Sequence, residues 1–159
     1  MNTVTLNDAL SITYPKGFHV MDEAEEVMVF QQKLPERWAI WDTKRHIIIN
    51  VQWHRAHGLL LKVADPKDLA KRIGRIARKT YRKLDYRDET LFETEVCGRK
   101  AAGIRYAFTI DGVPQVSEAI VFKGASCSYT IYYTAREAND TASHKVFDRI
   151  LASLSLDES

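Results

Sequence analysis

The sequence predicts an α+β domain, a mostly antiparallel β-sheet with helices packed on it, and three observations carry that expectation. The first is Lys100–Thr134, which reads as antiparallel strands joined by tight turns. Along Ala101–Ile110, Ala102, Ile104, Tyr106, Phe108 and Ile110 alternate with Ala101, Gly103, Arg105, Ala107 and Thr109. A period of two is the strand signature. Asp111-Gly112 follows, and Asp-Gly between apolar runs marks a hairpin because both turn residues need positive φ. The second observation is His46–Arg55, which places Ile47, Ile49, Val51 and Trp53 on one face and Ile48, Asn50, Gln52 and His54 on the other. The third is a pair of amphipathic helices, one opening at Asp65-Pro66 and one at Asn139 or Asp140.

In chain order, Leu10–Tyr14 alternates as a strand and stops at Pro15-Lys16-Gly17, where Pro presets a turn and Gly closes it. The acidic run Asp22-Glu23, Glu25-Glu26 reads as a solvated loop or a single helical turn, and Val27–Gln32 as a strand. Pro35 breaks that strand, and Trp38–Asp42 is a short strand or an aromatic loop. Thr43-Lys44-Arg45 turns into the long strand, and residues 58–63 have no clean period.

Asp65 then caps a helix that runs to about Lys83, with Pro66 in its first turn and Asp68 near the positive end of its dipole. Leu69, Ile73, Ile76 and Thr80 form its expected buried stripe, beside a small-residue stripe of Ala70, Gly74 and Ala77. A mid-helix glycine costs ~1 kcal/mol relative to alanine, and close approach to the sheet is the reason to keep one there. Tyr86–Val96 is a further strand, turned at Gly98-Arg99 into the meander, whose later strands are Val116–Phe122 and Cys127–Thr134. A two-residue loop at Asp111-Gly112 sets Arg105 opposite Glu118, a complementary cross-strand pair. At Lys123-Gly124 two registers stay open. A two-residue loop puts Tyr129 and Ile131 beside Glu118 and Ile120, whereas a three-residue loop moves them to the face of Ile104 and Tyr106. The second gives the cleaner core. The last helix runs to about Ala152 and buries Val146, Phe147, Ile150 and Leu151.

A chain of 159 residues is sized for one domain, taken here as 1–159. That length buries roughly 70% of the surface of the unfolded chain, enough to hold a core without disulfide or metal. Lys and Arg number 23 against 21 Asp and Glu, a net charge of +2 that indicates no polyanion partner for the molecule as a whole. The first residues lack a basic segment followed by an apolar run, so the expectation is a cytoplasmic protein without a secretory leader. No window approaches the ~20 apolar residues of a membrane span. Cys97 and Cys127 are expected as reduced, unbridged thiols.

The order of these elements carries a resemblance. An opening strand ends in Tyr14-Pro15-Lys16-Gly17-Phe18, and a central capped helix precedes a meander carrying Asp111-Gly112. A terminal helix, Phe147–Leu151, runs into Ala152-Ser153-Leu154. The whole resembles the PsbP-like α/β/α sandwich, the fold of the photosystem extrinsic protein P. Relatives of that fold include small bacterial proteins of unknown function and effector-associated chaperones of type VI secretion. The resemblance implies a non-catalytic binding or adaptor role, although a fold does not fix a function.

Candidate sites follow from what the periodic elements leave over. Trp38, Trp41 and Leu59, Leu60 and Leu61 sit in segments without clean alternation, and large apolar residues on loops are where partners dock. Their plain alternative is burial in the core. Lys67, Lys71, Arg75, Arg78 and Arg82 share one helix face, a secondary basic surface for an acidic protein, an anionic lipid or a nucleic acid, or simply a solvated face. No aromatic RNA-binding signature accompanies it, which disfavours nucleic acid. Asn50, Gln52 and His54 share a strand face that lines a pocket or faces solvent. His54 and His57 point to opposite faces of a strand, so no metal site is expected, and no cofactor. There is no G-x-S-x-G, P-loop, H-E-x-x-H or dinucleotide fingerprint.

The leading expectation is therefore a non-enzymatic, cytoplasmic protein-binding module, an adaptor or chaperone for a secreted partner. Its partner is another protein, a second copy of the chain included. The alternative is a small-molecule-binding protein or hydrolase that uses a pocket on the Asn50, Gln52, His54 side. An exposed apolar patch favours the first and a concave polar pocket the second.

Overall fold

Alternating apolar residues build a seven-stranded antiparallel sheet in the computed structural model, which describes residues 1–56, 59 and 63–157. In chain order the strands are β1 (Asn2–Leu6), β2 (Leu10–Tyr14), β3 (His19–Val20), β4 (Arg37–Asp42), β5 (Ile47–Arg55), β6 (Arg87–Val96), β7 (Arg99–Ile110), β8 (Val113–Lys123), β9 (Cys127–Arg136) and β10 (Ser155–Leu156). The helices are α1 (Glu23–Phe30), α2 (Pro66–Thr80) and α3 (Asp140–Ser153). The large sheet has the order β3-β4-β5-β9-β8-β7-β6, and a three-stranded sheet has the order β1-β2-β10.

The pairings define two faces. Ile49 pairs with Tyr133, Tyr133 with Glu118 and Glu118 with Arg105, so these residues share one face. One step along, Asn50, Tyr132, Ala119 and Ile104 share the other. The first face packs against α3 and the small sheet. Leu10, Ile12, Ile47, Ile49, Phe122, Tyr129, Phe147 and Ile150 form one buried cluster there. The second face packs against α2 through a smaller cluster of Ala77, Ile104, Tyr106, Phe108 and Ala119. Burying both faces makes the α/β/α sandwich.

Several expectations are met residue by residue. Asp111 and Gly112 both have positive φ, 49° and 78°, and Arg105 faces Glu118. Asp65 caps α2 by accepting from the Lys67 amide at 3.0 Å. Both cysteines are free. Others need correction. Val27–Gln32 is not a strand, because α1 runs to Phe30. Its start is a capping box in which the Asp22 carboxylate accepts from the Glu25 amide at 2.8 Å and Glu25 reaches back to the Asp22 amide at 3.2 Å. Strand β1 lies ahead of the first expected strand. Asn7 and Asp8, both at positive φ, turn it into β2. The turn into β7 lies at Cys97-Gly98, one residue before the expected place.

The last meander turn also differs. Gly124 donates to the Cys127 carbonyl at 2.7 Å and Lys123 pairs with Ser128, so Ala125-Ser126 make the turn. Tyr129 and Ile131 consequently sit with Phe122 and Ile120, not on the face of Ile104 and Tyr106. The three-residue register looked cleaner only on the premise of one core, and this sheet has a core on each side.

Helix α2 is turned from its expected orientation. The stripe of small residues is the buried one, with Ala70, Gly74 and Ala77 against the sheet. Leu69 and Ile73 are half-buried, Thr80 is exposed, and Ile76 is 57% exposed. A Cβ built on Gly74 lies 3.3 Å from the Ile104 side chain, so the glycine marks a close helix–sheet approach.

Candidate functional site

Docking α2 through small residues leaves a gap beside it. A groove of about 400 Å³ opens between α2 and strands β5, β8 and β9. Leu69, Ile73 and Ile76 make its apolar rim, and Gln52, His54, Ser128, Thr130 and Tyr132 make a polar floor. Arg72 adds a cation to the wall. Gln52 donates to the Asn50 Oδ1 at 3.4 Å, which holds this row of β5 together. Burial pushes the Tyr132 hydroxyl's pKa up, against a smaller opposite pull from Arg37. Arg37 pairs with Gln52 across β4 and β5 and lies over the Phe30 ring of α1 at 4.2 Å. Burial lowers the guanidinium's pKa, and buried Glu26 and Tyr132 partly restore it.

The sequence-predicted residues distribute around this groove unevenly. The Asn50, Gln52, His54 row does share its face, with Asn50 buried and His54 exposed. His54 lies next to the last residue of β5 and Leu69 lies in the first turn of α2, so the chain between these two elements links two walls of the groove. Leu59 is 76% exposed and Val63 72%. Leu60, Leu61 and His57 lie outside the described residues. Trp38 and Trp41 are on a strand, not a loop, and both are half-buried. Trp38 packs on the main core with its ring 5.6 Å from that of Tyr14. Trp41 lies on the α2 face, 6.1 Å from the His19 ring. Lys71, Arg75, Arg78 and Arg82 are exposed and Lys67 is half-buried. Arg78 alone of these five is ion-paired among the described residues, to Glu89.

The opposite face carries a polar cluster that sequence reading reached only in part, through the Arg105–Glu118 pair. Glu118 is 6% exposed and accepts from Arg105 Nη1 at 3.3 Å. His144 of α3 sets Nε2 at 3.2 Å from Glu118 Oε1 and Nδ1 at 3.3 Å from Asp148. The hydrogen bond to Glu118 raises the His144 pKa, with burial opposing. Arg105 also pairs with Asp140, and Tyr133 donates its hydroxyl to Asp140 at 2.8 Å. The cluster ties α3 to β7, β8 and β9. Each member has a partner, which is the arrangement of a structural network. Its sequence signal was the His144, Asp148 spacing of four on one helix face.

Among the described residues no group of three or more His, Cys, Asp or Glu side chains is placed to hold a metal ion. Among those residues no helix is long and apolar enough to cross a membrane. Neither a family model nor a curated protein matches the chain. Solved structures do. The chain superposes on the cyanobacterial PsbP protein CyanoP from Synechocystis sp. PCC 6803 with a TM-score of 0.72 at 14% identity, covering 98% of this chain and 92% of that one. The fold is PsbP-like. LpqN of Mycobacterium tuberculosis, described as involved in cell envelope biogenesis, gives a TM-score of 0.63 at 10% identity over 94% of this chain and 83% of that one. PA94 from Pseudomonas aeruginosa, a protein of unknown function, gives 0.55 at 11% identity over 100% and 99%. At these identities the likeness establishes the PsbP-like architecture and transfers no site.

Proposed function

We propose that the protein is a non-enzymatic polypeptide-binding module, an adaptor or chaperone for a secreted partner, and that it binds along the groove beside α2. The observation that carries this reading is the inverted burial of α2. Small residues face the sheet, while Leu69, Ile73 and Ile76 rim an open groove of about 400 Å³. Exposed Leu59 and Val63 extend the apolar character along the connection between the groove's walls. Large apolar side chains at such an edge fit the anchors of a partner chain.

Charge selects the partner's chemistry. Lys71, Arg72, Arg75 and Lys79 are exposed on α2, and none has a carboxylate partner among the described residues. The occupant is therefore a segment with apolar anchors flanked by acidic side chains, steered by the helix. A second reading rests on the polar floor. A cleft with Gln52, His54 and Tyr132 at its base also has the size of a small-molecule pocket.

Photo-crosslinking in the source cell tests the two readings. A crosslinker at Ile76 should capture a polypeptide that one at Asp8, off the groove, does not. With that partner purified, Ile76→Asp should weaken binding about thirtyfold, the equivalent of ~2 kcal/mol. Arg75→Ala should mainly slow association and reduce its salt dependence. Trp38→Ala should lower the melting temperature rather than the affinity of the folded protein. Equal crosslinking from both positions, or normal binding by folded Ile76→Asp, would sink the proposal.

A further inference from the structure

We infer that a second cleft, on the α3 side of the sheet, is a binding site for a small phosphorylated ligand. It lies between the β4–β5 turn and α3, and measures about 660 Å³. Lys44 and Arg45 enter from the turn, and Lys145 and Arg149 from the helix. No carboxylate lines it among the described residues, and Lys44, Lys145 and Arg149 have no acidic partner there. Such a gathering of like charges repels itself and is relieved by an anion.

The site is built rather than incidental. Arg45 is held in place because its Nε donates to Asp42 at 2.5 Å and its Nη2 to the Lys16 carbonyl at 3.2 Å. Asp42 is buried beneath it. Burial pushes the Asp42 pKa up, but the hydrogen bonds and charge of Arg45 and the Lys44 amide outweigh that and hold it low. Asp42 thus remains ionised and fixes the guanidinium, which leaves Nη1 as the nitrogen not used in these two bonds.

Ser143, a residue only 4% exposed, adds a hydroxyl to the lining. It stands in the first turn of a 14-residue helix whose cap, Asn139, makes no side-chain hydrogen bond. The dipole of that helix end favours negative charge. Ala142 and Val146 give one wall an apolar character, which suits a phosphate monoester with a short carbon skeleton over inorganic phosphate alone.

Titration of the ¹⁵N-labelled protein with phenyl phosphate tests this directly. Amide shifts should saturate at Thr141, Ala142 and Ser143, at lower concentration than with inorganic phosphate. Sodium chloride matched in ionic strength should not reproduce them. Arg149→Glu and Lys44→Glu, both at exposed positions, should each weaken binding at least about tenfold while the variants melt normally. Ser143→Ala should weaken it by a smaller factor. Shifts that follow ionic strength alone, or that survive both charge reversals, would overturn the site. Co-sedimentation with phosphatidic acid vesicles but no saturable response to phenyl phosphate would assign the cleft to a lipid surface and refute the small ligand.

Discussion

The two faces of the large sheet are covered by helices of similar length that pack by opposite rules. Helix α3 drives large side chains inward. Phe147 and Ile150 are fully buried, and Phe147 stacks on Tyr133 at 4.9 Å. Helix α2 sends in Ala70, Gly74 and Ala77, and holds its leucine and isoleucines at the flank. Small residues bring a helix axis closer to the sheet, but they cannot fill the space to either side. A side chain such as Ile76 is then too far around the helix to reach the floor. The α3 face therefore gives stability, and the α2 face gives up part of its apolar burial and keeps a groove.

Substitutions can break this contrast. The largest effect is expected from Phe147→Ala, which empties a fully buried ring site and should cost about 3–5 kcal/mol. Ile73→Ala, at the groove edge, should cost clearly less. Urea denaturation of both variants checks the ranking, and equal losses would mean that the two faces pack alike. Next comes Gly74→Leu. With Ile104 already 3.3 Å from a Cβ at this position, overpacking should destabilise by ~1–3 kcal/mol. A melt as high as the parent's would show that α2 can lift away from the sheet freely.

The smallest effect sharpens the comparison through pH. His144 has its pKa raised in the folded state by Glu118, and the ordinary histidine value is about 6.5. Its contribution to stability is therefore fully present below that ordinary value. It is lost as pH rises through the raised folded value. Thermal melts from pH 5.5 to 8.5 should show this decline, and His144→Gln should flatten it. Superimposable profiles for parent and variant would separate the charged network from the docking of α3.

Local signals made most of the large sheet legible. The meander strands, the Asp111-Gly112 turn and the Arg105–Glu118 pair depend on alternation and turn chemistry, which neighbouring residues specify. Helix α1 resembles a strand in sequence because Val27–Phe30 is a run of apolar residues, and the capping box of Asp22 and Glu25 outweighs that run. The row Asn50, Gln52, His54 was visible as a face, but its neighbours in the groove were not. Leu69 and Ile73 come from a helix, and Ser128 and Thr130 from a strand more than seventy residues away.

What the chain determined by itself was where strands, turns and helix caps fall, because those depend on backbone preferences within a few residues. Which stripe of α2 faces the sheet was a different matter. Sequence offered both Leu69, Ile73, Ile76 and Ala70, Gly74, Ala77, and hydrophobicity alone favours the larger set. The tertiary structure chose the smaller one, because Ile104, Tyr106 and Phe108 already fill the space over β7 and admit only a helix face without bulk. The choice rests on volume shared between distant elements, which no local pattern records. Lys44 and Arg45 likewise meet Lys145 and Arg149 only once a turn and a helix a hundred residues apart are packed on the same side of the sheet.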